Sequence, residues 1–496
     1  MTIHLSIVLF LPLAAGLAGA FLPRGMARWA VLTGTVAVLA YAIVMIVDFD
    51  SGGGLQWVTS DEWISELGIR YELGVDGVNL FMIALTAIAW VPCTLVAAFG
   101  VQDRPRLFFF FLALAETAVL GAFMAQDLAL FIVFFDLMLV PFYFLIGGWG
   151  SGERVRATTK FAIYTLSGSL LMLAAAVALG VLATPDGGEI SFSLAELQRR
   201  SIPEGSQHWI VLLFALAFFV KAPLFPLHGW VPETYRSTSI PVLALLSGVL
   251  SKVGVYGFLR IVLPVMPEGS QHWQELFIVI AVFSILYGSI LAFSQDNVRM
   301  VLAYSSIAQL GFIVLGIFAL EEKGAQGALF QMLNHGLVTV PLFLIIGVIA
   351  ARARGSESLA ELGGMAFRAP VLAALFLVVS LATLAMPGSG NFVGEILILF
   401  GAFEDKLIYG LVASAGAVLA AVYMIRLFQG TMHGRVGPAV ESREIDRVNL
   451  AAIAPLVAVI VALGLYPHFV VDRTEQGTQQ SIAKAKHAGP EISVIK

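Results

Sequence analysis

Two lysines stand inside long apolar stretches of this sequence, where a charged side chain needs a physical reason. Lys221 and Lys252 lie in AFFVKAPLFP and VLSKVGVYGF, which otherwise have the composition of membrane-spanning helices. An ammonium group at bilayer depth costs several kcal/mol, so such residues usually face the protein interior, pair with a carboxylate and mark an ion pathway. The two lysines therefore indicate ion or proton transfer inside a membrane.

Two prolines, Pro223 and Pro226, follow Lys221 closely. Each proline removes a backbone donor and crowds the carbonyl four residues earlier, which predicts a helix break and free carbonyls at Phe219 and Ala222. Irregular backbone at membrane depth is tolerated where it lines a cavity or is buried in protein. A broken helix that carries a lysine is thus predicted to belong to a conduction site.

Three carboxylates complete the set of charges in apolar segments. Asp136 lies in FIVFFDLMLVPFYF, Glu116 in FLALAETAVL, and Glu395 follows MPGSGNFVG. Pro387 should break the helix that carries Glu395, and the glycines at 388 and 390 permit a non-helical link. For each carboxylate the alternative is a hydrogen-bonded bridge between neighbouring helices.

Two histidines in apolar surroundings are candidate proton relays. His228 comes just after Pro226, and His335 lies in QMLNHGLVTV. Histidine relays protons because its unperturbed pKa lies near physiological pH. A neutral, packed imidazole is the alternative at both positions.

Composition places all of these residues in a polytopic membrane protein. Of 496 residues 59% are hydrophobic and only 12% are charged, which is typical of a chain of transmembrane helices and excludes a soluble or nucleic-acid-binding class. We expect one all-α membrane domain, residues 1–496, with fourteen spans. The apolar segments are 3–22, 28–48, 78–99, 106–125, 128–147, 158–183, 208–229, 238–264, 273–294, 299–320, 325–351, 370–402, 407–428 and 449–470.

Basic residues cluster after the odd-numbered segments. They include Arg24 and Arg28, Arg104 and Arg106, Arg154, Arg156 and Lys160, Arg236, Arg299, Arg352, Arg354 and Arg368, and Arg435, Arg443 and Arg447. By the positive-inside rule these loops are cytoplasmic, which predicts that both termini face the outer side of a bacterial cytoplasmic membrane. The even-side segment 184–207 contains SFSLAELQRR, a candidate short amphipathic helix.

The two predicted helix breaks are related by position. One lies in the seventh span with Lys221 and the other, five spans later, precedes Glu395. Because an odd offset reverses direction in the membrane, spans 4–8 and 9–13 are predicted to be inverted repeats, covering residues 106–264 and 273–430. Inverted repeats with discontinuous helices are a recurring transporter plan.

The motifs carry a family resemblance. The chain resembles the antiporter-like subunits of respiratory complex I, most closely the M type, through LMLVPFYFLIGGWG, VKAPLFPLHGWVPE, VLSKVGVYGFLR, MVLAYSSIAQLGF, MLNHGL and PGSGNFVGE. This resemblance implies fourteen helices with two inverted five-helix repeats and proton translocation driven by quinone reduction in other subunits. It also implies a translocase complex whose lateral partners are the L-like and N-like antiporter subunits.

Position by position, the resemblance assigns proton translocation to Asp136, Lys221, Lys252 and Glu395. Asp136 stands where the family usually has glutamate. We expect Asp136 to modulate Lys221, Lys252 with His335 to pass the proton across the middle of the membrane, and Glu395 to deliver it outward. Glu116 and His228 are further candidate relays.

No redox cofactor or metal is expected in this chain. A single cysteine, Cys93, cannot ligate an iron–sulfur cluster, and neither a dinucleotide fingerprint nor a haem-type histidine pair is evident. Quinone, NADH, FMN and iron–sulfur clusters are expected in partner subunits. The alternatives are a subunit of a multisubunit Mrp-type sodium/proton antiporter or of a membrane-bound hydrogenase, and a membrane scaffold without transport.

Overall fold

The computed structural model describes residues 3–23, 25–100, 103–441 and 443–488, so Arg24 lies outside the described residues. The first half of the chain forms α1 (Leu5–Phe21), α2 (Ala27–Asp48), β1 (Gln56–Ile64), β2 (Ile69–Val75), α3 (Leu80–Phe99), α4 (Pro105–Met124), α5 (Leu128–Leu137), α6 (Leu139–Trp149), α7 (Arg154–Leu182), α8 (Leu194–Leu197), α9 (Glu204–Lys221) and α10 (Val231–Ser237). The second half forms α11 (Ile240–Leu245), α12 (Ser251–Gly257), α13 (Leu263–Val265), α14 (Pro267–Ser294), α15 (Val298–Phe318), α16 (Glu322–Arg352), α17 (Pro370–Thr383), α18 (Gly390–Asp405), α19 (Leu407–Met432), α20 (Arg447–Leu465) and α21 (His468–His487).

The protein is mostly helical and polytopic, as its composition predicts. Within the described residues, eleven continuous helical segments are long and apolar enough to cross a membrane. Each of them coincides with a predicted apolar segment. Leu5–Phe21 and Pro370–Thr383 are shorter apolar helices.

The centre of the helical body is formed by the segment Ile240–Val265 with α15 and α16. Ile240–Val265 is buried along its whole apolar length, and α15 and α16 nearly so, whereas α19 and α20 are largely exposed at the periphery. Exposed leucines and valines on α19 are what a lipid-facing helix requires. The candidate lysines and histidine thus lie in or beside the most buried layer.

A β-hairpin that the sequence did not predict covers one end of the helices. Its antiparallel strands β1 and β2 pair Thr59 with Leu73 and Ser60 with Glu72. β2 also pairs with the residues just before α5, since the N–H of Gln126 donates to the carbonyl of Glu72 at 2.8 Å. We call this end of the molecule, with the hairpin, α8 and α21, the hairpin side.

The hairpin side is closed by α21, a helix that the apolar pattern also did not reveal. Gln326 Nε2 on α16 donates to the carbonyl of Val471 at 2.7 Å. Gly77 lies so close to α21 that an added Cβ would sit 2.5 Å from the carbonyl oxygen of Arg473. The predicted amphipathic segment 191–200 contains only one helical turn, α8.

The helix that carries Lys221 is interrupted directly after that residue. α9 ends at Lys221, and a 3₁₀ turn, Leu227–Trp230, follows the link that contains Pro223 and Pro226. The expectation of a free carbonyl at Phe219 was wrong, since this carbonyl accepts the N–H of Leu224 at 3.0 Å. The hydrogen bond joins residues five apart, so the turn is wider than an α-helical turn.

A second interruption separates α17 from α18 at residues 384–389, around Pro387. Gly388 has φ of +94°, which explains why glycine stands there. The Ser389 hydroxyl then accepts the N–H of Phe392 at 3.3 Å and caps α18. This cap fixes where the helix with Glu395 begins.

Two further irregularities flank the charged residues and were not predicted. Met138 separates α5 from α6, two residues after Asp136. The segment Ile240–Val265 contains two π-helical stretches, Leu246–Leu250 and Phe258–Val262, on either side of Lys252. π-Helical turns are rare and frequently occur at functional sites.

Candidate functional site

Lys221 is buried at the broken end of α9 and holds few hydrogen bonds for an ammonium group. The side chain is 2% exposed. Its Nζ donates to the carbonyl of Phe135 at 3.3 Å and lies 4.4 Å from the centre of the Phe135 ring. Since an ammonium group has three donors, this environment leaves Lys221 dependent on neighbouring charge.

Asp136 is the carboxylate next to that contact. It is half-buried, and its Oδ1 has no hydrogen-bond partner within the protein. The charges of Asp136 and Lys221 lie close enough to influence each other. Their charged atoms are nevertheless more than 4.0 Å apart, so they form an electrostatic couple without a direct ion pair.

Lys252 lies in α12, between the two π-helical stretches, and is completely buried. Its Nζ donates to the carbonyl of Ser247 at 2.7 Å and to the hydroxyl of Ser251 at 3.3 Å. The Ser251 hydroxyl donates to the same carbonyl at 2.8 Å. A carbonyl in a widened helix thus becomes the main partner of the ammonium group.

A glycine packs the helix of Lys252 against the broken end of α9. A Cβ at Gly254 would lie 2.7 Å from the carbonyl oxygen of Phe218 and 3.2 Å from the N of Ala222. Only a residue without a side chain lets α12 approach the broken end of α9 this closely. Lys221 precedes Ala222, whereas Lys252, two residues before Gly254, lies on another face of α12, because two helical residues turn by about 200°.

His335 comes from α16 and faces the same region. It is 2% exposed, its Nδ1 has no partner within the protein, and it lies within the electrostatic influence of Lys252. Another close glycine contact explains this position, because a Cβ at Gly336 would lie 2.7 Å from the carbonyl oxygen of Gly248. The π-helical stretch and α16 therefore touch through their backbones.

Glu395 lies in a second group of polar side chains, on α18. It is 3% exposed, and its Oε1 accepts a hydrogen bond from Gln309 Nε2 at 2.9 Å. Gln309 Oε1 accepts in turn from Gln331 Nε2 at 2.7 Å. Gln331 and His335 are four residues apart on α16, so they lie on the same face of that helix.

Sequence analysis missed the two glutamines that connect Glu395 to α16. Gln309 and Gln331 are fully buried. A neutral amide in an apolar segment costs less than a charge, so it does not by itself indicate a functional site. The glycine before Glu395 was the sequence feature that could have indicated them, since a Cβ at Gly394 would lie 2.3 Å from Gln331 Oε1. The glycine in NFVGE therefore makes room for the glutamine.

Glu116 lies apart from the residues described above, on α4. It is fully buried, accepts a hydrogen bond from the Thr35 hydroxyl at 3.0 Å through Oε2, and has no partner within the protein at Oε1. Its contact with α2 is the interhelical bridge that the sequence left open as an alternative. The structure does not link Glu116 by hydrogen bonds to Asp136 or Lys221.

His228 lies in the interruption after α9 and is also set apart. Its ring stacks near Phe225, with ring centres 5.9 Å apart, and lies 5.1 Å from the ring of Tyr287. Its Nδ1 has no partner within the protein. The aromatic contacts favour a packed imidazole, whereas the unpartnered nitrogen leaves a relay role open.

The arrangement places three polar groups in a row through the buried layer. They are Asp136 with Lys221, Lys252 with His335, and Gln331, Gln309 and Glu395. Each group contains an unpartnered atom that can accept a proton or a hydrogen bond, namely Asp136 Oδ1, His335 Nδ1 and Gln331 Oε1. Chemically, such a row suits the movement of protons between titratable groups that differ in their local charge.

Comparisons with known proteins give consistent results. The sequence profile of the family described as NADH:quinone oxidoreductase/Mrp antiporter, TM, matches residues 125–420. The chain is 36% identical over 485 residues to NADH-quinone oxidoreductase subunit M of Rhodobacter capsulatus, covering 94% of both chains. It is 35% identical over 534 residues to the Mycobacterium tuberculosis protein of the same name, covering 99% of this chain and 96% of the relative.

Two solved structures share the fold. A chain of respiratory complex I from Thermus thermophilus with bound NADH superimposes with a TM-score of 0.89 and 29% identity, covering 97% of this chain and 100% of that chain. A chain of the Mrp complex from Dietzia sp. DQ12-45-1b superimposes with a TM-score of 0.86 and 22% identity, covering 98% and 99%. At that identity the second likeness concerns the fold alone.

Proposed function

This chain belongs to the NADH:quinone oxidoreductase/Mrp antiporter transmembrane family, and on that premise we propose that it is the M-type, proton-translocating subunit of a NADH:quinone oxidoreductase. The observation that carries the proposal is the row of buried titratable groups around Lys221 and Lys252. Relatives named as subunit M match over nearly their whole length, which favours this complex over other members of the family.

The first step depends on the Asp136–Lys221 couple. At a separation of about 5 Å and an effective dielectric near 20, an ionised Asp136 stabilises the Lys221 ammonium by about 3 kcal/mol. Moving one charge against about 180 mV costs roughly 4 kcal/mol. A change in the distance between these two groups therefore supplies an energy comparable to the work of pumping one proton.

The proton then passes along the buried layer. When Asp136 withdraws, Lys221 becomes a donor, and Lys252 receives the proton on α12, the helix that Gly254 packs against the end of α9. Lys252 shares its surroundings with His335, and Gln331 and Gln309 lead from that face of α16 to Glu395. Glu395 releases the proton towards the outer side. The helix breaks at Pro223, Pro226 and Pro387 provide the places where α9 and α18 can change direction.

The membrane arrangement follows the sequence interpretation. We propose fourteen spans, counting the broken pairs α5 with α6, α9 with α10 and α17 with α18, and Ile240–Val265, as one span each. The two interrupted helices, α9 and α18, occupy corresponding places in the proposed inverted repeats 106–264 and 273–430. The hairpin side faces outward with both termini, since the basic loops lie at the opposite end.

The energy for transport comes from other chains under this proposal. The chain supplies no redox centre, and NADH oxidation and quinone reduction take place in partner subunits that hold FMN, iron–sulfur clusters and quinone. L-like and N-like antiporter subunits are the proposed lateral neighbours within a bacterial cytoplasmic membrane.

Replacement of Lys221 by alanine tests the proposal. The number of protons taken up per NADH oxidised by inverted membrane vesicles should fall when Lys221→Ala assembles normally. Lys323→Ala is the matched control, because Lys323 is exposed and pairs with Glu404 at the surface, and it should leave the ratio unchanged. An unaltered ratio and rate in Lys221→Ala would contradict the assignment.

The Mrp-type sodium/proton antiporter is the second candidate, because the family and the fold include it. Sodium discriminates between the two. NADH-driven proton uptake that persists without Na⁺ supports the complex I subunit, whereas proton movement that requires an opposing Na⁺ gradient and no NADH supports the antiporter.

A further inference from the structure

A second set of polar residues runs from Lys252 towards the hairpin side. Tyr256 and Arg260 follow Lys252 at intervals of four residues in the same helical segment. Arg260 Nε donates to the Tyr256 hydroxyl at 2.8 Å. The Arg260 guanidinium donates two parallel hydrogen bonds to the Asp76 carboxylate, from Nη1 to Oδ2 at 2.7 Å and from Nη2 to Oδ1 at 2.6 Å. None of these residues takes part in the route towards Glu395.

This set is firmly held and almost completely dehydrated at its inner end. Tyr256 is 0% and Arg260 8% exposed. The Tyr256 hydroxyl donates to the carbonyl of Phe123 at 3.0 Å, and Asn79 Nδ2 donates to the same carbonyl at 2.8 Å. The Tyr256 hydroxyl therefore donates its proton to the Phe123 carbonyl, and its oxygen accepts the hydrogen bond from Arg260 Nε.

The outer end of the set opens into a cavity on the hairpin side. This cavity has a volume of about 170 Å³, and its lining includes Asp76, Arg260, Gln126, Gln198 and Arg473. It is large enough for several water molecules. Arg473, on α21, lies at the same cavity but stacks on Phe469, 4.4 Å from the ring centre. The Asp76–Arg260 pair is thus the boundary between an aqueous pocket and the buried helix of Lys252.

We propose that the Asp76–Arg260 pair, together with Tyr256, is a barrier that keeps protons of the outer side from flowing back to Lys252. This inference rests on the proposed function, because a barrier has meaning only where Lys252 carries protons. A guanidinium is always charged and has no acceptor, so it cannot relay a proton. Because Asp76 neutralises the guanidinium and is itself held in the ion pair, neither group is free to take up a proton from the cavity and pass it to Tyr256.

Asp76 keeps that charge in place. The bidentate geometry of the pair fixes the plane of the guanidinium. The backbone N–H of Asp76 donates to Asn79 Oδ1 at 2.8 Å, which holds Asp76 at the start of α3. Burial by itself would raise the pKa of the Asp76 carboxyl, but Arg260 and the N–H groups of Val78 and Asn79 hold it below its ordinary value. The pair therefore stays ionised, and the barrier closed, at the pH of either side of the membrane.

Passive proton leak measures the barrier without any need for pumping. The assembled complex is reconstituted in liposomes, an acid pulse is applied on the hairpin side without NADH, and the internal pH is followed with a trapped dye. Arg260→Gln should raise the leak about tenfold, since it leaves the negative charge of Asp76 unbalanced. At about 12 Å from Lys252 along the helix and an effective dielectric near 20, one unbalanced charge changes an equilibrium by about that factor. Arg260→Lys keeps the charge and should leak much less than Arg260→Gln.

Arg473→Gln is the matched control, because it removes a positive charge from the same cavity away from Tyr256, and its leak should equal that of the native complex. Tyr256→Phe removes one oxygen at the inner end and should also raise the leak, which keeps the test valid if Arg260→Gln fails to assemble. A native leak in Tyr256→Phe and in any assembled Arg260→Gln complex would overturn the barrier and leave the pair as an anchor for the hairpin. Failure of the proposed function has a different signature, namely normal pumping in Lys221→Ala.

Discussion

Replacing Asp136 by asparagine removes the charge that acts on Lys221 and leaves the size of the side chain unchanged. The charged atoms of the two residues are more than 4.0 Å apart. At about 5 Å and an effective dielectric near 20 the lost attraction is about 3 kcal/mol, or on the order of a hundredfold in the equilibrium between charged and neutral Lys221. Since transport against about 180 mV needs roughly 4 kcal/mol per proton, Asp136→Asn should abolish most of the pumping through this chain.

Asp136→Glu is the conservative counterpart. The added methylene extends the carboxylate by about 1.3 Å, so the attraction to Lys221 rises to about 4 kcal/mol at about 4 Å. Pumping should be preserved in Asp136→Glu.

Inverted membrane vesicles that oxidise NADH provide the assay, with proton uptake followed by the quenching of an acridine dye and assembly checked for each variant. Asp296→Asn is the control, because Asp296 also lies beside a positive charge, that of Arg426, but is exposed. An exposed pair contributes about 0–1 kcal/mol. Normal proton uptake per NADH in Asp136→Asn would refute the coupling between Asp136 and Lys221. Glu116→Gln would then test whether the carboxylate on α4 has that role.

Two further predictions concern packing and the hairpin side. Gly254→Ala should lower the thermal midpoint of the complex and reduce pumping, because its Cβ would lie 2.7 Å from the Phe218 carbonyl oxygen and overpacking costs about 1–3 kcal/mol. Gly205→Ala is the control and should have no effect, since a Cβ there would have no atom within 4 Å. Burial raises the pKa of Asp127 to about 6, against the N–H groups of Leu130 and Arg70, so the proton is held more tightly in the folded chain than in the unfolded chain, where the pKa is about 3.9. The contribution of Asp127 to stability should therefore be complete below about pH 4 and be lost as the pH rises through 6. Asp127→Asn, an equally good helix cap, should flatten this pH dependence of the thermal midpoint between pH 4 and 7. An unchanged slope in Asp127→Asn would contradict the reasoning.

The helices were predictable because a membrane-spanning segment has to be both long and apolar. Ile240–Val265 was located to within two residues, in spite of two π-helical stretches, since the requirement concerns length and composition and not the local hydrogen-bond pattern. The interruptions after Lys221 and around Pro387 followed from prolines, which remove a donor in any context. The break at Met138 was not predicted, although Pro141 crowds the carbonyl of Leu137, four residues earlier.

Other features depended on contacts that no local pattern reveals. β1 is QWVTSDEWI, in which most residues are exposed, so neither its hydropathy nor its alternation distinguishes it from a polar loop. The charged candidates were found because charge in lipid is costly, whereas Gln309 and Gln331 are neutral and were overlooked. The gap between Asp136 and Lys221 also required the structure, because sequence indicates which residues face one another but not their distance.

The proton-to-electron ratio of a complex that carries Lys252→Met tests the central claim most directly. Methionine keeps much of the volume and removes only the ammonium group, which lies between the Asp136–Lys221 couple and the glutamines that lead to Glu395. We predict that NADH oxidation continues in an assembled complex while fewer protons are moved per electron pair. A native ratio at a native rate would show that protons do not pass through the buried row, and would contradict the account.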